Sequence, residues 1–185
     1  IMKTEKQKMF EGLPYDAHTP EMIAIRKKTK HLLHKLNVTE YYTENFQKTI
    51  NELCPNAASD IHLEPPFYCD YGDHIFAGEG VFINFGATIL DGAKVTIGKK
   101  TLIAPGLHIY TARHPLEIKE RREWEDCAPV SIGEECWIGG RVTICPGVTI
   151  GDRAVIGAGS LVTKDIPADT LAVGSPAKVL KKLNE

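Results

Sequence analysis

The chain has 185 residues, a formal net charge of −2, and a composition that is 43% hydrophobic and 25% charged. This length has room for one good core but not for two large domains, and the near-neutral charge gives no electrostatic basis for binding nucleic acid. No apolar run is long enough for a membrane span, and no apolar segment near the start is typical of a secretion signal. The five cysteines form no C-x-x-C pair. These features predict a cytoplasmic protein with reduced thiols and no membrane or nucleic-acid partner.

Residues 1–55 predict an N-terminal helical subdomain. Three helices are expected, over residues 4–12, from Thr19 to about Lys35, and from Thr39 to about Leu53. Thr19 can cap free backbone amides, and Pro20 fits the first helical turn. The second helix has apolar residues on one side and a run of basic residues on the other, which we interpret as a solvated face.

Residues 56–175 are dominated by short extended segments with a six-residue period. An aliphatic β-branched residue occupies every sixth position along one stretch: Ile132, Ile138, Ile144, Ile150, Ile156 and Val162. A helix has a period of 3.6 residues and a half-buried strand a period of two, so this pattern predicts a coil of short strands with the aliphatic residues stacked inward. The glycine that follows most of these residues leaves room at a crowded position, and Pro146-Gly147 supplies a turn. A β-sandwich of alternating strands is the alternative.

The six-residue period fails between Ile109 and Ile132, which are 23 positions apart. A polar loop over about residues 111–130 must therefore leave the coil, and long insertions of this kind are usually functional or disordered. After Val162 the sequence predicts one or two strands and then a short basic helix over residues 176–185. Such a coil has little concave surface of its own, so pockets are expected between the copies in a closed oligomer.

His114, at the root of the inserted loop, is the strongest candidate for catalysis. An imidazole can act as a general base near neutral pH, although most loop histidines are ordinary surface groups. The nearby acidic residues Glu123, Glu125 and Asp126 could orient a polyol or the imidazole, or they could simply be solvated. Spacing alone does not connect the remaining scattered polar residues, which are Asp16, Asp70, Asn84 and Asp91.

Several motifs along nearly the whole chain resemble the maltose and galactoside O-acetyltransferases. They are Glu64-Pro65-Pro66, Tyr68-Cys69-Asp70-Tyr71-Gly72, Asn84-Phe85, Ile89-Leu90-Asp91, Ala104-Pro105-Gly106, Tyr110-Thr111-Ala112-Arg113-His114-Pro115, Trp137-Ile138-Gly139-Gly140 and Gly157-Ala158-Gly159-Ser160. The resemblance implies a mainly β fold, a left-handed parallel β-helix of hexapeptide repeats, assembled as a homotrimer with active sites between subunits. It also implies that an acetyl group moves from acetyl-CoA, the co-substrate, to a sugar hydroxyl without a metal.

The resemblance also assigns roles to individual residues. It makes His114 the general base and the backbone N–H of Gly140 the group that stabilises the oxyanion of the thioester. The acceptor-binding positions are Asp16, Asp70, Asn84 and Glu125. The positions that bind acetyl-CoA are Trp137, Gly140, Ala158, Thr163 and Lys164, with Lys178 and Lys181 near the nucleotide phosphates. Gly92 stands where galactoside enzymes carry an acidic residue, which favours maltose or glucose as the acceptor.

Other interpretations are open at this point. A related acetyltransferase could act on a galactoside, a nodulation-type oligosaccharide or an antibiotic. A γ-type carbonic anhydrase would use the same coil and a zinc ion held by histidines, drawn from His62, His74, His108 and His114, but no H-x-x-x-x-H spacing is present. A non-catalytic scaffold would need neither His114 nor a groove for CoA. Within the transferase interpretation, an acyl intermediate could form on a cysteine, namely Cys127, Cys136 or Cys145.

Overall fold

Short strands are the commonest regular elements of the computed structural model, which describes residues 2–183. The helices are α1 Glu5–Phe10, α2 Pro20–Val38, α3 Glu44–Leu53 and α4 Ile118–Arg121. The strands are β1 His62–Leu63, β2 Phe67–Cys69, β3 Ile75–Ala77, β4 Phe82–Ile83, β5 Ala87–Leu90, β6 Val95–Ile97, β7 Leu102–Ile103, β8 His108–Tyr110, β9 Ala112–Arg113, β10 Asp126–Cys127, β11 Val130–Ile132, β12 Trp137–Ile138, β13 Thr143–Ile144, β14 Thr149–Ile150, β15 Val155–Ile156, β16 Leu161–Val162, β17 Thr170–Gly174 and β18 Ala177–Lys182. Within residues 2–183, no helix has both the length and the apolarity to cross a bilayer.

The strands stack into three sheets that form the sides of a parallel β-helix. The first side has the order β1-β4-β7-β12-β15-β17-β18, the second β3-β6-β11-β14 and the third β2-β5-β8-β13-β16. Pairing is in register from coil to coil, so that Ile103 pairs with Ile138 and Ile138 with Ile156. The predicted coil is confirmed, and the sandwich alternative is wrong.

The inward aliphatic residues form one continuous core. Every member of the series from Ile132 to Val162 is at most 1% exposed. A Cβ added at Gly139 would lie 2.6 Å from the backbone nitrogen of Ala158 on the next coil, so a side chain there would clash with main chain. Gly147 has a φ of +81°, which confirms the predicted turn after Pro146.

The N-terminal helices are packed against the β-helix in two places. In the main core, Leu36 of α2 and Ile50 of α3 belong to the same buried cluster as Phe67 of β2. A second cluster lies apart from it and joins α1, the loop after α1, α2 and the inserted loop; its buried members are Met9, Tyr15, Met22, Tyr71, Ala93 and Cys127. We call it the α1 cluster.

The three predicted helices are present, but the third begins later than predicted. Thr39 ends α2, where its N–H bonds to the carbonyl of Lys35. Thr43 then caps α3 by accepting the N–H of Phe46 through its side chain. Thr39 and Thr43 both have the residue type that caps helices, and only the fold of the intervening turn separates the two roles.

The predicted C-terminal helix over residues 176–185 is wrong for residues 176–183, and residues 184–185 lie outside the described residues. β18 instead runs antiparallel to β17, with Lys178 opposite Val173 and Lys181 opposite Leu171. Gly174 has a φ of +103° and, with the Pro176 that follows, reverses the chain. The returning segment then satisfies its backbone groups by pairing with β17, which outweighs its local preference for a helix.

Candidate active site

A cleft of about 340 Å³ lies at the root of the inserted loop. Its lining includes Tyr15, Asp16, His114, Arg122, Trp124 and Glu125. Two segments that are far apart in sequence, the loop after α1 and the inserted loop, therefore share one concavity. Of the predicted acceptor-binding residues, Asp16 and Glu125 line this cleft together with His114.

The inserted loop is a hairpin, and its register explains why His114 and Glu125 are neighbours. Arg113 on β9 is opposite Asp126 on β10, and the guanidinium donates two hydrogen bonds of 2.9 Å to the carboxylate. The next residue on each strand toward the tip is His114 on one side and Glu125 on the other. His114 Nε2 lies 3.4 Å from Glu125 Oε2. The hairpin thus places a carboxylate beside the candidate base.

Glu125 is held from the other side by Tyr15. The phenol donates a hydrogen bond to Glu125 Oε1, and the backbones of the two residues form an antiparallel bridge. Burial and the carboxylate of Glu125 raise the pKa of Tyr15 far above its ordinary value, so the phenol stays protonated and remains a donor. Sequence patterns do not identify Tyr15 as a site residue, because nothing local links it to a residue 110 positions later.

Asp70 is not among the residues that line this cleft; it lies in a turn that Asp91 holds in place. Burial raises the pKa of Asp70, and the positive charges of Lys30 and Arg26 on α2 oppose that shift, whereas Glu125 adds to it. The carboxylate of Asp91 accepts the backbone N–H groups of Asp70, Tyr71 and Gly72 at 2.7 to 3.0 Å. In the sequence Asp91 is one scattered polar residue, and the fold makes it the anchor of the turn that presents Asp70.

Asp91 is completely buried. Burial raises its pKa to about 6, although the three backbone donors oppose the rise. Its own carbonyl accepts a hydrogen bond of 2.7 Å from Nδ1 of the buried His74. Asp91 is therefore tied to the chain on both sides, and a change of its protonation state acts directly on the turn that carries Asp70.

Asn84 and Trp137 lie in a different cavity of this chain. That cavity has a volume of about 360 Å³, and Phe82, Leu102 and Ala104 are also part of its lining. It lies on the first side of the β-helix, where Trp137 is 57% exposed. The structure of one chain therefore does not bring Asn84 and Trp137 together with His114.

The other predicted acetyl-CoA positions lie on successive coils after the inserted loop. The carbonyl of Gly140 accepts the N–H of Gly159 at 2.8 Å, which places Ala158 one coil beyond Gly140. Thr163 and Lys164 are exposed directly after β16. Lys178 and Lys181 lie on β18, a strand instead of the predicted helix, and both are exposed there.

Gly92 has a structural reason to lack a side chain. A Cβ at this position would lie 2.5 Å from Cys127 Sγ, with Met9 Sδ at 3.6 Å. Members of the α1 cluster thus fill the space that an acidic side chain at residue 92 would need. The packing of the α1 cluster therefore leaves no room for a side chain at residue 92.

The cysteines show none of the activation that a nucleophile needs. Burial raises the pKa of Cys127 to about 11, and it also raises the pKa of Cys136 and Cys145. A reactive cysteine requires a lowered thiol pKa. These observations argue against a covalent acyl-cysteine intermediate. Within residues 2–183, no three His, Cys, Asp or Glu side chains are grouped so that they could hold a metal ion.

Comparison with known protein families gives two matches that cover different parts of the chain. Residues 129–164 match the hexapeptide repeat of succinyl-transferase. Residues 8–55 match the maltose acetyltransferase hexapeptide capping motif. The first match falls on the coils after the inserted loop, and the second covers the second half of α1 and all of α2 and α3.

Solved structures agree with these matches. A maltose O-acetyltransferase from Clostridium difficile 630 is 43% identical, with a TM-score of 0.96 and 99% of each chain covered. A hexapeptide-repeat acetyltransferase from Vibrio cholerae O1 biovar eltor, complexed with acetyl coenzyme A, is 37% identical, with a TM-score of 0.89 over 99% of this chain and 100% of that one. A galactoside acetyltransferase in complex with coenzyme A is 34% identical, with a TM-score of 0.93 over 99% and 92% of the two chains. The chain belongs to the hexapeptide-repeat acetyltransferases, in the family of the maltose and galactoside O-acetyltransferases.

Proposed function

We propose that this acetyltransferase moves an acetyl group from acetyl-CoA to a hydroxyl of a sugar such as maltose or glucose, with His114 as the general base. The observation that supports this most directly is the pairing of His114 with Glu125 in a polar cleft that also contains Asp16. A sugar hydroxyl is a poor nucleophile at neutral pH, and positioned removal of its proton is worth roughly 10²–10⁴-fold in rate. The five free cysteines fit the cytoplasmic location that the composition predicts.

The contact with Glu125 suggests which nitrogen of His114 acts as the base. With Nε2–H directed toward the carboxylate, Nδ1 keeps the lone pair. As the hydroxyl oxygen bonds to the thioester carbonyl carbon, its proton passes to His114. The tetrahedral intermediate then breaks its carbon–sulfur bond, and the imidazolium returns the proton to the leaving thiolate of CoA. Glu125 stabilises the imidazolium between these two steps.

Oxyanion stabilisation and cofactor binding are assigned to the coils after the inserted loop. Negative charge develops on the carbonyl oxygen during attack, and a backbone N–H can stabilise it. We assign this role to the N–H of Gly140, which has no acceptor within residues 2–183. Ala158, Thr163 and Lys164 follow on later coils and would contact the pantetheine arm. Lys178 and Lys181 on β18 would face the CoA phosphates as cations.

We further propose a homotrimer with active sites between subunits. A difference between the outward residues of two sides of the β-helix supports it. On the first side, outward residues form an apolar ladder in register, Phe82, Leu102, Trp137, Val155 and Leu171. On the second side, the corresponding ladder after Phe76 is polar, with Thr96, Ser131 and Thr149. An apolar ladder of this length is typical of a surface that a partner covers. The cavity on this side is lined by Asn84 and Trp137, two of the predicted site residues that do not line the His114 cleft.

The preferred acceptor follows from Gly92 and the α1 cluster. In this chain Cys127 and Met9 occupy the space beside Gly92, so a carboxylate at that position is excluded. Asp16, Asp70 and Glu125 supply the carboxylates that take hydrogen bonds from sugar hydroxyls. We therefore propose glucosyl acceptors over galactosides.

The first test is release of free thiol from acetyl-CoA across maltose, glucose, galactosides and amino sugars. Sugar-dependent release should fall by roughly 10²–10⁴-fold in His114→Ala, while thermal stability stays close to that of the native protein because His114 is exposed. His31→Ala, an exposed histidine on α2, is the matched control and should keep full activity. The proposal would be contradicted if the native protein did not bind acetyl-CoA, or if His114→Ala kept full activity.

A second test addresses the shared site. His114→Ala and Trp137→Ala are each expected to be nearly inactive alone. When the two chains are co-expressed and assembled at random in trimers, about a quarter of the sites should combine an intact His114 with an intact Trp137 from the neighbour. Recovery of activity to that level supports sites between subunits. Purified mixed trimers that remain inactive would place each site within one chain.

A further inference from the structure

Tyr15 belongs to neither the β-helix nor the inserted loop, yet it contacts the inserted loop at its functional end. Its side chain is 4% exposed and is part of the α1 cluster. Its backbone N–H bonds to the carbonyl of Glu125 at 3.1 Å, and the N–H of Glu125 bonds back to the carbonyl of Tyr15 at 3.4 Å. The chain after α1 thus pairs with the inserted loop at one point, and that point is Glu125.

The two carboxylate oxygens of Glu125 contact different side chains, those of Tyr15 and His114. Tyr15 OH donates to Oε1, and Oε2 is the oxygen that lies 3.4 Å from His114 Nε2. A glutamate side chain has several rotatable bonds and is costly to hold in one conformation. The backbone bridge sets the position of the main chain of Glu125, and the phenol selects the side-chain rotamer in which Oε2 faces His114.

The donor is itself held rigidly and stays protonated. The ring of Tyr15 is packed among apolar residues of the α1 cluster, and its hydroxyl also lies 3.8 Å from Cys127 Sγ. Burial and the adjacent carboxylate keep its pKa far above the pH range of any assay. The phenol therefore acts as a permanent donor and takes no part in proton transfer.

We propose that Tyr15 is a positioning residue for acetyl transfer: its phenol locks Glu125 against His114, so the segment after α1 completes the catalytic hairpin. This inference rests on the proposed function, because it assumes that His114 is the base. It gives the N-terminal segment a role in the reaction in addition to its role in packing. The ion pair of Arg113 with Asp126 in the hairpin brings His114 and Glu125 together. Tyr15 sets the orientation of the Glu125 carboxylate.

The test is Tyr15→Phe, which removes one oxygen and keeps the buried ring and the backbone bridge. We expect kcat to fall about 10- to 100-fold, by analogy with the loss seen when a group that orients a metal-bound histidine is removed, with KM for acetyl-CoA unchanged. Tyr42→Phe is the matched control, because Tyr42 OH donates to Glu64 at 2.9 Å in a second Tyr–Glu pair outside the site. Its kcat should equal that of the native protein.

A double-mutant cycle shows whether Tyr15 acts through Glu125. In a Glu125→Ala background, Tyr15→Phe should cause no further loss of kcat, because the group it orients is gone. Independent losses that multiply would overturn the proposal, as would a Tyr15→Phe enzyme with native kcat.

A readout that does not depend on activity separates this inference from the proposed function. The ¹⁵N signals of His114 report the balance between its two neutral tautomers. In the native protein Nε2–H should dominate, and in Tyr15→Phe the two tautomers should mix. If no sugar is acetylated but the tautomer changes as expected, the positioning contact stands and the assigned reaction is wrong. If activity is present and the tautomer and kcat are unchanged in Tyr15→Phe, the inference about Tyr15 is wrong.

Discussion

The β-helix and the inserted loop are stabilised by different kinds of contact. In the β-helix, Ile138 pairs with Ile103 on one side and Ile156 on the other, and the same apolar contact recurs on every coil. In the inserted loop, the contacts that orient His114 and Glu125 are single and polar: Arg113 with Asp126, and Glu125 with a tyrosine 110 positions earlier. The repeated apolar contacts stabilise the β-helix as a scaffold, and the single polar contacts orient individual side chains on the loop that leaves it.

Because of this difference, stability and activity should depend on different sets of residues. A substitution in the repeated core should lower the free energy of unfolding with little direct effect on the chemistry. A substitution among the single polar contacts should change activity more than stability.

Ile144→Ala should lower the free energy of unfolding by about 2–5 kcal/mol, since it leaves a cavity in a fully buried stack. Denaturant unfolding measures the change. Thr143→Ala, the adjacent outward position on β13, is the control and should change stability by less than about 0.5 kcal/mol. Equal losses in the two variants would show that the coil is not stabilised mainly by its inward residues.

Gly139→Ala should cost about 1–3 kcal/mol, because the new Cβ would lie 2.6 Å from the backbone of the next coil. At the neighbouring Gly140, an added Cβ would lie 3.5 Å from the carbonyl oxygen of Pro105, an ordinary contact. Gly140→Ala should therefore have a midpoint of thermal unfolding much closer to the native value. A reversed order would mean that crowding between coils does not explain the glycine in the repeat.

Asp91→Asn should destabilise the protein by about 1–3 kcal/mol, because the amide nitrogen cannot accept a backbone N–H, whereas both oxygens of the Asp91 carboxyl can, whether it is ionised or protonated. The pH dependence has a definite sign. The pKa of Asp91 is raised to about 6 in the folded state, from an ordinary value of 3.8, so between these values the folded state binds more protons than the unfolded state. Stability contributed by Asp91 therefore falls as pH rises through that window.

Denaturant unfolding of the native protein and Asp91→Asn at several pH values measures this contribution. The advantage of the native protein should be greatest near pH 4 and should shrink toward about pH 6. An advantage that grows with rising pH would show that the three backbone donors outweigh burial. Because Asp91 anchors the turn of Asp70, KM for the acceptor should also rise in the variant.

Arg113→Met should change the free energy of unfolding by less than about 1 kcal/mol, since the ion pair with Asp126 is partly exposed. Its effect on kcat should be larger than its effect on stability, because the pair sets the register that places His114 beside Glu125. Thermal unfolding and steady-state kinetics on the same preparation provide the comparison. A large loss of stability without a change in kcat would contradict the separation of roles.

Much of the fold was predictable because the repeat is local. Each hexad carries its own inward aliphatic residue, and the failure of the period after Ile109 marked the inserted loop. The error at the C-terminus had a different origin, since Lys178 and Lys181 lie in a segment whose local sequence suits a helix. Only the reversal at Gly174, which returns the chain beside β17, makes that segment a strand.

The candidate site was predictable only in part. His114 and Glu125 were identified from the inserted loop and from resemblance, and the hairpin places them together. Tyr15 and Asp91 carry no local signal, because a buried tyrosine and an aspartate after a strand are common in structures with no active site. Their roles depend on partners contributed by other segments, Glu125 for one and the turn of residues 70–72 for the other.

The amino-acid sequence was enough to predict the β-helix, the position of the insertion and the chemical groups available to the site. It could do so because a six-residue period, a loop length and a side-chain type are properties of neighbouring residues. Three relations became visible only in the folded chain: the segment after α1 contacts the inserted loop, Asp91 holds the turn of Asp70, and Asn84 and Trp137 line a separate cavity. These relations join residues that are distant along the chain, and only packing of the whole fold brings such residues into contact.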